Sequence, residues 1–294
     1  MKILILGGSG LVGSRFIELA TDHIITAPTH DELDLLDTQS LEAYLQNSDS
    51  EIILNLAAFT NVDTAEEEKD DQNGLAYKLN VVLPKTLAQN AASQSKYLIH
   101  ISTDYVFDGK KPAPYVEDDA PNPVNWYGTT KMRGENVVKE SDGSWLIVRT
   151  EMPFSSHFEK KLDIARIFVK MLKEGKQING VADQKITPTY VDTLVEGLLK
   201  LIEARAQGIY HLASTDSTTP YDLAVMIAQQ LDMPKEDYDK LIIPVKFEDY
   251  NKTRSAKRPQ NSYLDVSKFE SEFGTGILKT VSESVDEFKS KLSS

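Results

Sequence analysis

The passage that most constrains this chain is Lys2-Ile3-Leu4-Ile5-Leu6, followed at once by Gly7-Gly8-Ser9-Gly10-Leu11-Val12-Gly13. A short, unbroken apolar run reads as a strand buried on both faces, as in a parallel sheet. Beyond the glycines the apolar residues Leu11, Val12, Phe16, Ile17, Leu19 and Ala20 take helical spacing. Strand, glycine turn and helix in that order make a glycine pattern into a dinucleotide fingerprint. Gly7 permits the tight turn, Gly10 lets the backbone approach a pyrophosphate, and Gly13 lets the helix pack close to the strand. The amides of Leu11 and Val12 at the helix start then face the phosphates. The spacing is Gly-x-x-Gly-x-x-Gly rather than Gly-x-Gly-x-x-Gly, and a glycine turn of purely structural use is the plainer alternative.

The next segments keep a strand–helix alternation. Ile24-Ile25-Thr26-Ala27 reads as a second strand, ending at Pro28-Thr29 without the acid that commonly accepts the adenosine ribose hydroxyls of NAD. Asp31, Glu32 and Asp34 follow slightly later, so both NADP(H) and NAD(H) stay open, with Thr29 and His30 near a 2′-phosphate or simply in a loop. A third strand, Ile52 to Leu56, runs into Ala57-Ala58-Phe59-Thr60, small residues that allow a cofactor to lie close to the backbone. One helix is expected from about 74 to 93, carrying Asn80.

Tyr97-Leu98-Ile99 begins a strand that should deliver Ser102, Thr103 and Asp104 to its carboxyl end, where open α/β sheets bind ligands. After the loop Pro121-Asn122-Pro123 a helix carries Tyr127 and Lys131, four residues apart and therefore on one face. An ammonium near a phenol favours the phenolate, so Lys131 is expected to lower the Tyr127 pKa and fit it for proton exchange with a substrate oxygen. Taken alone, Tyr-x-x-x-Lys reads equally as a chance pair on a solvated helix. Its place after the glycine turn and Ser102-Thr103-Asp104 favours chemistry.

The chain has 294 residues, 40% hydrophobic and 26% charged, enough for one large or two medium domains. Without cysteine there are no disulfides and no thiolate metal ligands, and the five histidines lack metal-site spacing, so no metal is expected. A net charge of −13 argues against nucleic-acid and anionic-membrane partners. The apolar start is cut short by Gly7-Gly8, which fits neither a signal peptide nor a span, so a cytoplasmic location is expected.

Gly7-x-x-Gly10-x-x-Gly13, Asn55-x-Ala57-Ala58-Phe59-Thr60-x-Val62-Asp63-x-Ala65-Glu66, Asn80, Ser102-Thr103-Asp104-Tyr105-Val106-Phe107-Asp108-Gly109 and Tyr127-Gly128-x-Thr130-Lys131 together resemble the extended short-chain dehydrogenase/reductases. Within them the chain most resembles the dTDP-4-dehydrorhamnose reductase family. The resemblance continues through Val148-Arg149-Thr150, Ala182-Asp183-Gln184, Gly208 to Ala213 and Arg258-Pro259-x-Asn261-Ser262, and so covers nearly the whole length. It implies a Rossmann-type doubly wound parallel sheet with a smaller α/β substrate-binding domain, and reduction of a 4-keto-deoxysugar nucleotide by NADP(H) or NAD(H). It implies catalytic roles for Thr103, Tyr127 and Lys131, with Asn80 in support, holding the lysine through water or backbone. Cofactor contacts are implied at Gly7, Gly10, Leu11, Val12, Gly13, Asp34, Leu35, Ala57, Ala58, Ser102, Tyr127 and Lys131. Substrate contacts are implied at Thr103, Asp104, Tyr105, Gln184 and Arg258. Two departures stand out. Glu151-Met152-Pro153-Phe154 replaces the family's Ser-Trp-Val-Tyr, removing or displacing an aromatic contact to the sugar, and Lys185-Ile186-Thr187 replaces a glycine-led stretch.

The dinucleotide domain is expected over 1–150 and a mainly substrate-binding domain over 151–294, with some late segments returning to the first. Helical stripes run over Ile164 to Lys173, Val191 to Ile202 and Val281 to Leu292, and Thr219-Pro220-Tyr221-Asp222 reads as a helix start. Lys252, Arg254, Lys257 and Arg258 form a basic run that reads either as a solvated loop or as an anion site for a pyrophosphate. The rival readings are a sugar-nucleotide epimerase or dehydratase that retains NAD, and a non-catalytic NADP-binding protein like the regulatory subunit of methionine adenosyltransferase. A homodimer is compatible with the sequence.

Overall fold

A computed structural model describes residues 1–158 and 160–292. The apolar runs become eight strands: β1 (Lys2–Leu6), β2 (Ile24–Thr26), β3 (Ile52–Asn55), β4 (Tyr97–Thr103), β5 (Ser144–Thr150), β6 (Ile178–Val181), β7 (Gly208–His211) and β8 (Ile242–Val245). Six form one parallel sheet in the order β2-β1-β3-β4-β5-β7. The chain passes from β1 to β2 on one side and then crosses to β3 on the other, so the carboxyl ends of β1 and β3 frame the crevice in which such sheets bind ligands. Helices cover both faces, which is why Ile52, Ile53 and Leu54 of β3 are all fully buried. Burying each such side chain stabilises the fold by about 1.5–3 kcal/mol relative to leaving it exposed.

The stretch expected as one helix from 74 to 93 is interrupted. Helix Leu75–Tyr77 passes into a π-helical turn, Lys78–Val82, and then into helix Leu83–Ser93. The cause is Pro84, which has no N–H to offer the carbonyl four residues back, that of Asn80. The ladder widens there, and the Leu83 amide reaches back to the Lys78 carbonyl. The freed Asn80 carbonyl meets the helix Trp126–Lys139 at Gly134, where any Cβ would lie 2.2 Å from it.

That helix is fastened to the sheet by an ion pair sealed from water. Arg149 on β5 donates from Nε and Nη2 to the two carboxylate oxygens of Glu135, at 2.9 and 2.7 Å. The side chains are 1% and 0% exposed. Arg149 also donates to the Glu117 carbonyl at 3.3 Å and stacks over Phe107, 4.9 Å from the ring centroid.

Later segments build a second core around Phe154, Phe168, Tyr190, Ile227 and Phe288, with β6 and β8 as a parallel pair. Other late residues complete the first core: Leu194 and Leu198 of the helix Val191–Glu203, then Leu264, Phe269 and Leu278. Asp192 accepts from Arg15 Nε and Nη2 at 2.6 and 2.7 Å and from Lys291 at 2.6 Å, joining the first helix to the last. Among the described residues no helix is long and apolar enough to cross a membrane.

Arg149→Met should cost roughly 3–5 kcal/mol, because it strands the Glu135 charge. Adding Glu135→Leu should recover much of that loss. Urea unfolding of the two variants checks the expectation, and a single variant as stable as the wild type would refute it.

Candidate active site

The glycine turn is held by its own backbone. Gly7 has φ +86°, a conformation glycine adopts without strain, and its carbonyl accepts from the Gly10 amide at 3.0 Å. A Cβ on Gly7 would lie 2.7 Å from the Ala57 amide nitrogen, and one on Gly13 only 2.3 Å from the Gly7 carbonyl oxygen. Those contacts bring β1, the helix Leu11–Leu19 and the Ala57-Ala58 loop to one point. Gly10 is the N-cap and no side chain caps the helix, leaving the first-turn amides of Leu11 and Val12 free of side-chain partners. On the far side, Asp34 accepts from the Leu36 amide, and Leu35 lines a small cleft with Leu36, Leu41, Lys78 and Val82.

β4 delivers Ser102 and Thr103 to the same end of the sheet. Ser102 is buried and its hydroxyl has no protein partner. Thr103 donates to Asp104 Oδ1 at 2.9 Å, and Ser262 donates to Asp104 Oδ2 at 2.6 Å. Burial pushes the Asp104 carboxyl up to about 6.

Asn125 caps the helix Trp126–Lys139, its Oδ1 accepting from the Gly128 amide at 2.8 Å while its Nδ2 donates to the Lys257 carbonyl at 2.7 Å. Glu66 receives the Trp126 amide at 2.7 Å. Gly128 permits close approach to the Tyr105 carbonyl, which a Cβ would meet at 2.1 Å. The Tyr127 ring therefore lies edge-on to Tyr105, with centroids 5.6 Å apart. Lys131, one turn on, donates to the Ile101 carbonyl at 2.6 Å.

Two expectations change. Tyr127 has its phenol pKa raised, not lowered, because burial disfavours the phenolate; the neighbouring Thr103 hydroxyl opposes this and the Asp104 charge adds to it. Lys131 is turned to a backbone carbonyl, and burial brings its own pKa down to about 8. Asn80 makes no direct hydrogen bond to Lys131 among the described residues. Its amide donates to Thr130 Oγ1 at 3.0 Å and to the Phe59 carbonyl at 3.1 Å, and its oxygen accepts from the Phe59 amide at 2.9 Å. Asn80 thus clamps the cofactor-side loop to the Tyr127 helix.

The basic run is internally paired. Both Arg258 nitrogens, Nη1 and Nη2, contact Asp63 at 2.6 Å, which holds the Asp63 carboxyl far below its usual range. Lys252 pairs with Glu248, and Arg254 stacks on Tyr250. Arg258 therefore closes the loop Asn61–Asp63 rather than presenting an open anion site. Gln184 is buried and donates to the Pro259 carbonyl at 3.1 Å, tying two loops together. Residues not picked from sequence also reach the site. Ser262 supports Asp104, Thr130 supports Asn80, and Thr187 donates to Glu151. Ser262 and Thr130 lay inside recognised motifs and Thr187 in a departure from one, but nothing in the spacing gave any of them a partner.

The chain matches the family model described as the RmlD substrate binding domain over residues 1–293. It belongs to that family. It is 32% identical over 288 residues to the dTDP-4-dehydrorhamnose reductase of Burkholderia thailandensis, covering 93% of each chain. It is likewise 32% identical over 285 residues to methionine adenosyltransferase 2 subunit beta of Xenopus tropicalis, covering 92% of this chain and 81% of that one. The crystal structure of dTDP-4-dehydrorhamnose reductase from Bacillus anthracis in complex with NADP superposes with a TM-score of 0.88 at 29% identity over 98% of both chains. The RmlD family residues in this chain fit a dinucleotide. The uncapped helix start, the glycines that admit no side chain, and the unpartnered buried Ser102 hydroxyl stand at the carboxyl ends of β1 and β4.

Gly13→Ala should abolish tight binding of NADPH, because the added methyl forces the first helix away from the glycine turn. Titration of the protein with NADPH, followed by cofactor fluorescence, checks this; wild-type affinity in the variant would contradict it.

Proposed function

We propose that this chain is an NAD(P)H-dependent reductase of a 4-keto-deoxysugar nucleotide, with dTDP-4-dehydrorhamnose the first substrate to try. The observation that carries the reading is the meeting of Thr103, Tyr127 and Lys131 at the carboxyl ends of the strands beside the glycine turn, in a chain of the RmlD family. NADP is the cofactor held by the similar Bacillus anthracis reductase. A bound reduced nicotinamide supplies the hydride. Tyr127 gives its phenolic proton to the substrate oxygen, and its raised pKa keeps that proton in place at neutral pH. Thr103 turns its hydroxyl from Asp104 to donate to the same oxygen. Asp104 and Tyr105 position the sugar. Lys131 has one protein partner and two further protons for the cofactor ribose. The loop closed by Arg258 and Asp63 borders the nucleotide. Beyond the sugar nucleotide we infer no nucleic-acid partner, given the charge of −13.

The likeness to methionine adenosyltransferase 2 subunit beta favours a second reading, a binding role beside a partner enzyme. The two separate in one assay. Protein, dTDP-4-dehydrorhamnose and NADPH, then NADH, are mixed and the reduced-cofactor absorbance is followed. Enzyme-dependent loss of absorbance is expected, and Tyr127→Phe should lower kcat by about 100-fold or more. Cofactor binding with no oxidation would reject dTDP-4-dehydrorhamnose as the substrate and favour the binding role.

The rate should also depend on the charge of Lys131. With its pKa brought down to about 8, the ammonium is lost as the pH rises through that value, so kcat should fall on the alkaline side. Lys131→Arg, whose charge persists, should move that limb to higher pH. An unmoved limb would assign it to another group.

A further inference from the structure

Glu151 lies fully buried at the end of β5. Its position is over-determined. Glu151 Oε2 accepts from the Thr187 amide at 2.7 Å and from the Thr187 hydroxyl at 2.5 Å. Its backbone carbonyl accepts from the Thr189 amide and hydroxyl at 3.1 and 2.9 Å. The next residue, Met152, is held at φ +39°, which a side chain seldom tolerates unless its surroundings enforce it. Glu151 Oε1, in contrast, is buried with no protein partner.

The neighbouring acid is Asp104. Both are tied to one short segment: Ser262 donates to Asp104, and the Leu264 amide donates to the Thr187 hydroxyl that holds Glu151. No Lys, Arg or His hydrogen-bonds to either carboxyl among the described residues. Two buried carboxyls without a cation cannot both ionise at neutral pH, because neither hydration nor an opposite charge offsets the repulsion. We propose that Asp104 and Glu151 hold a single proton between them beneath Thr103, and that this proton reloads Tyr127 through the Thr103 hydroxyl after each reduction.

The path rests on the reductase reading above and balances as follows. The O–H bond of Tyr127 breaks as an O–H bond forms on the substrate oxygen, whose carbon has taken the hydride. The Thr103 hydroxyl, which donates to Asp104 in the resting protein, turns to give its proton to the phenolate and takes another from Asp104, the member of the pair that it touches. The pair, left doubly ionised, refills from solvent. Other titratable groups do not replace it. Tyr105 and Tyr127 face Asp104 from the loop and the helix; Arg258 and Tyr250 face Tyr105; the Thr187 and Ser262–Leu264 segments bring only hydroxyls and amides. Burial and the Asp104 charge together push Glu151 well above the ordinary carboxyl range.

Glu151→Gln keeps the size and an acceptor for Thr187, and it is tested in two ways. The first needs no turnover. A carboxyl whose folded pKa is raised contributes its stability below the unfolded value of about 4.3, and that contribution drains as the pH rises toward the folded value. Glutamine lacks the loss, so Tm of the variant relative to wild type should climb as the pH rises above about 4. A pH-independent difference would overturn the shared proton. The second test is kinetic. The variant should lose at least about tenfold in kcat with KM little changed, and its solvent isotope effect should rise as reprotonation limits the cycle. Unchanged kcat and isotope effect would overturn the relay. A wild-type protein that gives the stability effect but never oxidises NADPH would overturn the reductase reading and uphold the carboxyl pair.

Discussion

Most of the site hangs on one buried ion pair, Arg149 with Glu135. A charged pair withdrawn from water survives only when its remaining donors are also satisfied. Here they are: Nη1 of Arg149 reaches the Glu117 carbonyl and lies 3.5 Å from Nε2 of His211. Burial brings His211 down to about 3, so its ring is neutral. With Nδ1 donating to the Asp265 carbonyl at 3.0 Å, Nε2 is left as an acceptor for arginine. One guanidinium thereby connects β5, β7, the loop after β4 and the helix that carries Tyr127 and Lys131. The register of that helix against β4 sets where the phenol and the ammonium stand.

Charges around the site follow two opposite rules. Structural acids are compensated: Glu135 by Arg149, Asp192 by Arg15 and Lys291, Asp63 by Arg258. The acids nearest the chemistry are not. Asp104 and Glu151 receive only hydroxyls and amides, and Lys131 faces a neutral carbonyl. Uncompensated burial raises carboxyl and phenol pKa values and lowers that of an ammonium, and all three shifts occur here within one crevice. Such sites sacrifice some stability to keep groups near the protonation state that proton transfer needs.

Much of the architecture was legible in the chain. The run Lys2–Leu6 with Gly7, Gly10 and Gly13 foretold β1, the turn and the first helix, because only glycine tolerates the contacts later found at Ala57 and the Gly7 carbonyl. Thr103 and Tyr127 were legible as a pair through their places at a strand end and a helix start. The helix spanning 74 to 93 was legible only in outline. Pro84 sits in plain view, but whether a proline kinks, ends or widens a helix depends on what receives the freed carbonyl. Here Gly134, fifty-odd residues later, receives it.

What the sequence by itself determined is the sheet, the glycine turn and the candidate side chains gathered at the strand ends, since these rest on local periodicity and on residue types no neighbour can replace. The tertiary structure decided their electrical state. A four-residue spacing brings Lys131 to the face of Tyr127, yet it cannot say that Ile101 would take the lysine or that burial and Asp104 would raise the phenol. Nor could spacing foresee that Arg258 would be claimed by Asp63, 195 positions away, or that Glu151 and Asp104 would be left without a cation. Desolvation and Coulomb terms depend on every group packed nearby, and those groups are assembled from distant parts of the chain only when it folds.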